Sequence, residues 1–530
     1  MSSIKSFYDV VILGSGHNAL VAASYLAGAG QSVLVLEKRS RVGGATSSRK
    51  VFKGVDVNLS EYSYLLSLLP EKIIKDLGLK INAKRRFYAS YTPFFSDLSK
   101  SGLLLSNASE KLNREAFLAF TKDKREYKNY LLINELEKIL AQKVWPTLLS
   151  PLMTRSEMKS QFKGKKAKMA WDMFIEKPLG IAIEKYLKSD PVRGLIFTDA
   201  KIGILTHPND KSLLQNRTFL YHIIGNGTGE WRVPIGGMGE IARQIEAKAR
   251  KEGTQIVTDA EVVGIKPDPI NPVVKFKKNG KIKLVKAKYV LSGMAPSVLS
   301  KFLKTKLNLS KDDSQGTEFK INMVLSRLPK LKDPKYRAKD AFCGTFHINE
   351  GYDHMKKSYL NAVRGKFTKN PPGEMYCQTL TDSSILSPAL KKKGYQTLTL
   401  FGLDMPYKMF KRDNEGMKKK VLKKYIEAIN EHLQEPIEEC VARDVDGKLC
   451  IEARSPVDIE NELGMTMGNI FHNDPSWPFV EKSSEAGQWG VEIGYPNIFI
   501  CGSGARRGGC VSGIPGHNAA MKVLSLLKVA

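Results

Sequence analysis

The sequence predicts an α/β chain in which a doubly wound parallel sheet, assembled from discontinuous segments, carries a second domain of mixed α+β structure. Three observations predict it. The first 37 residues read as strand, glycine turn, helix, strand and terminal acid; a glycine turn opening an amphipathic helix begins at residue 234; and a strand running into glycines, then a helix, closes the chain from residue 497. Strands alternating with helices argue for parallel pairing, because a parallel neighbour needs a crossover that a helix supplies.

Tyr8 to Leu13 is β-branched and apolar, as a strand buried on both faces of a parallel sheet must be. Gly14 permits a tight turn, Gly16 lets the backbone meet a pyrophosphate, and Ala19 takes the third position, where helix and strand pack closely. The helix from Asn18 to about Ala29 aims its free N–H groups and positive dipole end at those phosphates. Leu20, Ala23 and Ala27 seat it on the sheet. Glu37 ends the next strand, where a carboxylate accepts the hydroxyls of an adenosine ribose and repels a 2′-phosphate. With all five parts in order, this is a complete Rossmann-like dinucleotide-binding unit rather than an ordinary glycine turn.

Directly after Glu37, Lys38-Arg39-Ser40-Arg41-Val42-Gly43-Gly44 resembles the second signature of FAD-binding proteins of the amine oxidase and phytoene desaturase type, which favours FAD over NAD. Trp231-Arg-Val-Pro234-Ile-Gly236-Gly237-Met238-Gly239-Glu240 opens the helix Ile241 to Glu252, and the strand at Gln255 and the segment 260–265 follow. The resemblance implies that Val262 meets the adenine through its backbone. Tyr289-Val-Leu-Ser, then Gly293-Met-Ala-Pro296, is the usual exit from such a unit.

At the C-terminus, 497–505 is a buried strand running into Gly502 and Gly504, and 508–518 passes Gly509 and Gly513 into a helix at Ile514, with Pro515 in its first turn. A helix N-terminus aimed at a flavin would stabilise the negative charge that develops on reduction. Glycine there avoids a Cβ that would strike the ring. On these four motifs the chain is identified as a member of the phytoene desaturase-like FAD-dependent oxidoreductases. A narrower likeness within them lies in Thr345-Phe-His347-Ile-Asn-Glu350, Asp382 to Pro388, Pro406-Tyr407 and Gly468 to His472. The chain departs from the family pattern in three places: Arg506-Arg507 replace a His-Pro pair, Cys510 a glycine and His517 an arginine. All three surround the expected flavin edge.

A chain of 530 residues exceeds one core, so two domains are expected. The motifs place the FAD-binding domain in 1–70, 230–300 and 486–530, and the substrate domain in 71–229 and 301–485. Helical patterns dominate the first substrate piece (Glu71 to Leu77, Glu115 to Phe120, Tyr130 to Lys143, Trp171 to Leu187, Val192 to Ile204). Alternating stretches (Phe319 to Leu325, Ala341 to Ile348, Met375 to Leu380, Gln396 to Leu403) predict an antiparallel sheet in the second, beside a long helix from Glu415 to Leu433.

No uncharged apolar run is long enough to span a membrane. The N-terminus leads straight into a strand without a signal-peptide core, so an intracellular address is expected, cytoplasmic or, in a eukaryote, the mitochondrial matrix. The net charge of +29 comes from scattered lysines. With no nucleic-acid motif beside them, nucleic acid is discounted, while a peripheral membrane contact and a protein partner stay open. The densest run, Lys159 to Lys168, reads as a solvated surface. Six cysteines without a Cys-x-x-Cys predict reduced thiols, no redox disulfide and no metal site. Gly225-Asn-Gly227-Thr-Gly229 is the other glycine cluster, but Trp231 and Pro234 follow where a helix should start, so NAD(P) would enter only as a diffusible acceptor.

The expected activity is transfer of hydride from a small apolar organic substrate to flavin N5 by a dehydrogenase or desaturase. Two alternatives stay open: a flavoprotein with a mainly regulatory or partner-binding role, and an oxygen-using flavin oxidase or monooxygenase. The catalytic residues are not legible, since hydride transfer needs positioning more than a dedicated nucleophile. His347 and His472 are weighed as lining residues against the commoner structural role, and Tyr62 and Tyr64 read as packing. Arg506 and Arg507 are weighed as cations beside a reduced flavin.

Overall fold

In the computed structural model, which describes residues 3–94, 101–307 and 314–528, the apolar strand Phe7–Leu13 sits at the middle of a seven-stranded sheet. It lies parallel to Val33–Leu36 on one side and Lys281–Ser292 on the other. Gln255–Val257 extends the parallel set beyond Val33–Leu36, and Ile498–Ile500 pairs with Val290–Ser292. Parallel strands from the beginning, middle and end of the chain thus share one sheet. Val10–Leu13 and Val33–Leu36 are buried on both faces, which explains their unbroken apolar runs. Ala260–Lys266 and Val273–Lys278 add an antiparallel meander at the edge.

Helix His17–Gly28 packs on this sheet between Met238–Lys251 and Ile514–Leu527. A Cβ at Gly516 would lie 1.9 Å from the Asn18 carbonyl oxygen. The first and last helices therefore cross at a distance only glycine permits, which couples the N-terminal turn to the C-terminal motif.

The second sheet runs in the order Ile451–Arg454, Phe319–Leu325, Gln396–Gly402, Gly373–Tyr376, Thr345–Ile348, Tyr88–Thr92, Leu103–Ser106. It is antiparallel except where Thr345–Ile348 meets Tyr88–Thr92. The expected stretches contribute strands, with two trims: Ala341 ends a short helix and Gln378–Leu380 is a single 3₁₀ turn. The last two strands come from the stretch read as helical. Leu103, Leu104 and Leu105 are all buried, so this short strand shows no alternation to find.

Helices including Lys124–Val144, Leu179–Tyr186, Asp190–Phe197 and Leu214–Ile223 build a separate apolar cluster over the second sheet's edge. Lys159, Lys163, Lys165, Lys166 and Lys168 are exposed, and Lys159 and Lys166 pair with Glu176 and Glu135. Among the described residues no helix is long and apolar enough to cross a membrane.

Candidate functional site

A cavity of about 380 Å³ opens where the C-terminal ends of the parallel strands meet the second sheet. Its volume is that of a small-molecule site. One half is walled by the N-terminal glycine turn, Leu36 to Arg39, Gly44 to Thr46, Ala260 to Val262 and the C-terminal Gly502-Ser503. The other half is walled by Tyr62 to Leu65, His222, Trp231, Phe401, 459–465 and 470–472.

The first half is made of backbone. Gly14 has φ +85°, a left-handed conformation that glycine adopts without strain. An ideal Cβ at Gly14 or at Gly16 would meet nothing within 4 Å, so both glycines face open space at the N-terminus of helix His17–Gly28. Glu37 is buried at 8% exposure, its backbone fixed by Val257 and Ala260. Its Oε2 accepts from Ser15 N at 2.8 Å and Ser15 Oγ at 2.6 Å, and Oε1 from Arg39 N at 2.8 Å. The acid therefore braces the glycine turn while facing the cavity. Gly44 packs on the same turn: a Cβ there would sit 3.2 Å from Gly16 Cα. His17 Nε2, Asn18 Oδ1 and His472 Nδ1 are buried without a hydrogen-bond partner, and all three residues line the space. Open room over two glycines, a helix N-terminus and orphaned polar atoms fit a dinucleotide.

Of the sequence-derived positions, Gly14, Gly16, Ala19, Glu37, Lys38, Gly44, Val262 and Gly502 line the cavity together. Lys38 does so at the rim, paired with Glu261 at 3.0 Å. The others stand behind the wall. A Cβ at Gly43 would meet Ala242, one at Gly504 would meet Pro296, and one at Gly509 would lie 2.9 Å from the ring of Phe471, which does line the space. Gly513 abuts Val21 and Leu69, and Ile514 is fully buried at the start of the last helix. These residues set the wall's shape rather than its surface.

The second half holds the residues sequence reasoning missed or undervalued. Tyr62 and Tyr64, read as packing, both line the cavity. The Tyr64 ring lies 4.2 Å from Phe401 and 4.4 Å from Tyr376, centroid to centroid. Burial, reinforced by Glu374 and Glu318, holds its phenol well above the ordinary range. His472 lines the cavity with φ +64°, whereas His347 lies outside it. Burial pushes His17 down to about 4, with His472 adding to it, and pushes His472 itself down to about 4. His222 is also lowered by burial, against the pull of Asp199. Burial raises the Cys510 thiol to about 12. The imidazoles and thiol of this wall are therefore neutral near pH 7.

Arg506 and Arg507 do not flank the cavity, which corrects their expected role. The Arg507 guanidinium is buried and donates to the carbonyls of Thr147 at 3.1 Å, Ser150 at 2.5 Å and Trp489 at 2.7 Å. Arg506 donates to the Phe479 carbonyl and pairs with Glu485. Arg507 has φ +65°, and its side chain reaches three backbone carbonyls in loops and at a helix end. All six cysteines are free. Gly225–Gly227 forms a 3₁₀ turn that runs into the short strand Arg232–Pro234 rather than a helix.

The family model described as flavin containing amine oxidoreductase matches residues 20–323, more than half of the chain. A Mycobacterium tuberculosis protein described as uncharacterized is 41% identical over 534 residues, covering 99% of each chain. Pyridine nucleotide-disulfide oxidoreductase domain-containing protein 2 of Rattus norvegicus is 27% identical over 577 residues, covering 99% of this chain and 94% of its own. Among solved structures, a putrescine oxidase variant with a redesigned cofactor site has a TM-score of 0.58 at 16% identity, with 98% of this chain and 99% of that one covered. That likeness is one of fold.

Proposed function

This chain belongs to the flavin-containing amine oxidoreductase family and is an FAD-dependent oxidoreductase, and from that premise we propose that it dehydrogenates or desaturates a small apolar organic substrate, hydride passing to the flavin. When bound, FAD supplies the two-electron acceptor. Gly14, Gly16, Ala19, Glu37, Lys38, Gly44, Val262 and Gly502 hold it, with Gly43, Gly504, Gly509, Gly513 and Ile514 shaping the wall behind. Glu37 faces the ribose position, and the N-terminus of helix His17–Gly28 faces the pyrophosphate position.

The observation that carries the substrate class is the second wall. Tyr64, Trp231, Phe401, Ile470 and Phe471 offer apolar and aromatic surface, and His222, His472 and Cys510 among them are neutral. Two carboxylates line that wall: Glu460 accepts from Tyr407 and Met467, and Glu462 from Tyr62 and Arg454. Glu462 is offset by Arg454 and Glu460 has only neutral donors, so a cationic amine would meet a single carboxylate there, whereas an apolar molecule would displace water from the larger aromatic surface, which hydrates poorly. The chain's own task is then to hold the substrate's C–H bond against the acceptor and exclude water. The turn at 225–229 leads into no helix, so a diffusible acceptor, NAD(P) or another carrier, takes the electrons.

The test is the fate of reduced enzyme in air. A dehydrogenase stays reduced and turns over with an artificial acceptor while releasing little peroxide. Rapid reoxidation with stoichiometric peroxide would instead make it an oxidase. A flavin that no substrate reduces would favour a regulatory flavoprotein.

A further inference from the structure

The segment Thr345 to Glu350, which carries the narrower family likeness, contributes nothing to the cavity wall. Its chemistry faces the protein interior instead. His347 on Thr345–Ile348 and Glu374 on Gly373–Tyr376 are direct cross-strand partners, so their side chains share one face of the sheet. Glu350, three residues after His347, returns to the same spot. One ligand atom from each residue lies within 4.8 Å of the other two, and His347 Nδ1 is 3.9 Å from Glu350 Oε2. The three are 4%, 3% and 2% exposed for His347, Glu350 and Glu374.

We propose that His347, Glu350 and Glu374 form a buried binding site for one divalent first-row transition-metal ion, one aromatic layer behind the cavity. Three observations point to a cation. First, neither carboxylate oxygen of Glu350 has a hydrogen-bond partner. Thr198, whose hydroxyl is beside both acids, donates to Glu374 Oε1 at 3.1 Å. A buried carboxylate without donors costs several kcal/mol unless something positive meets it.

Second, the neighbourhood is short of positive charge. Glu350 and Glu374 are joined by buried Glu318 and partly buried Asp199. The Arg86 guanidinium faces Glu374 and Asp199, while Lys201 is taken by Asp404 at 2.8 Å. A divalent ion offsets the excess acid. Third, the donor set suits such an ion. One imidazole and two carboxylates match Zn²⁺ or Mn²⁺, and bonds of about 2.0–2.2 Å in a tetrahedral shell set neighbouring ligand atoms roughly 3.4 Å apart. His347 and Glu350, 3.9 Å apart, need a small contraction to reach that spacing, and the set as a whole, within 4.8 Å, a larger one. Tyr376, whose hydroxyl donates to Glu374, stacks on Tyr64 in the cavity wall, so the ion would hold that wall's backing in place.

The proposal stands apart from the reaction assigned above and is tested without it. The flavoprotein is purified without chelator from cells grown with added zinc and manganese, and its metal content is measured by mass spectrometry. It is then stripped by chelator and titrated calorimetrically with ZnCl₂ and, separately, MnCl₂. The expected result is close to one metal ion per chain and saturable binding of at least one of the two ions. Glu350→Gln, which keeps shape and flavin colour, should weaken that binding by at least tenfold, with His347→Ala as a second variant. Wild-type protein with substoichiometric metal and no saturable heat from either ion would overturn the site and leave a network of protonated carboxyls. So would wild-type affinity in Glu350→Gln. The wild-type measurements decide the matter even where a variant fails to fold.

Discussion

Along the dinucleotide half of the cavity, the groups facing the ligand are glycine backbone, a helix N-terminus and one carboxylate that also braces the turn. Along the substrate half they are single side chains delivered from 62–65, 222, 231, 401, 459–465 and 470–472. The first half recognises a shape common to many ligands, the pyrophosphate and ribose, and, apart from the Glu37 carboxylate, does it with groups every residue possesses. The second must suit one substrate, and does it with groups only particular residues possess. The difference teaches where specificity resides: a change in the first half should remove the cofactor, and a change in the second should alter what reacts with it.

The sharpest way to break this comparison is Glu37→Arg. It removes an acceptor of two backbone N–H groups and buries a cation in its place, a cost of about 3–5 kcal/mol, or on the order of a hundredfold or more in FAD affinity. Flavin absorbance per chain after gel filtration should fall nearly to zero. Full retention would mean that the turn, not the acid, carries recognition.

Next in size is Arg507→Gln. Three carbonyls lose a buried charged donor, and stability to denaturant should fall by about 3 kcal/mol, while the flavin reduction potential holds. A drop of about 30 mV, worth about 1.4 kcal/mol for two electrons, would instead place that charge beside the flavin.

Acid sharpens the contrast further. His17 and His472 sit near 4 when folded, against an ordinary value of about 6.5. Between those values the unfolded chain binds more protons than the folded one, so stability rises with pH across this window and is lost as pH falls through it. Each histidine should remove up to about 2 kcal/mol between pH 6.5 and pH 4.5 in flavin-free protein, at about 1.4 kcal/mol per pH unit. Replacing both by Asn should flatten the denaturation midpoint over that range. A profile unchanged by the replacements would mean that these rings are solvated.

The smallest effect is expected from the thiols. Single Cys→Ser changes at all six positions should leave the rate of flavin reduction unchanged, because none has a partner thiol and Cys510 is held protonated. Loss of reduction in two variants that keep fold and FAD would restore dithiol chemistry.

The same division explains how much was legible. Gly14, Gly16 and Glu37 could be read because backbone recognition demands fixed residue types at fixed local spacing. The parallel strands could be read from their unbroken apolar runs. Tyr64, Phe401 and His472 could not be assigned together, since nothing local links three residues so far apart in the chain, which one strand and two separate loops bring to a single wall. Arg506 and Arg507 misled for a related reason: position in a motif told which loop they occupy, whereas the left-handed backbone at Arg507 decides where its side chain turns. Leu103–Ser106 escaped because a short, fully buried strand has no period.

The most direct test of the account is anaerobic reduction of the bound flavin by a matched panel of apolar molecules and primary amines of similar size. The account predicts that an apolar member bleaches the oxidised flavin's visible absorbance with saturable kinetics, and that Phe401→Ala or Tyr64→Ala changes which member does so while FAD content stays at the wild-type level. Bleaching by the amines alone, with the apolar molecules inert, would contradict it.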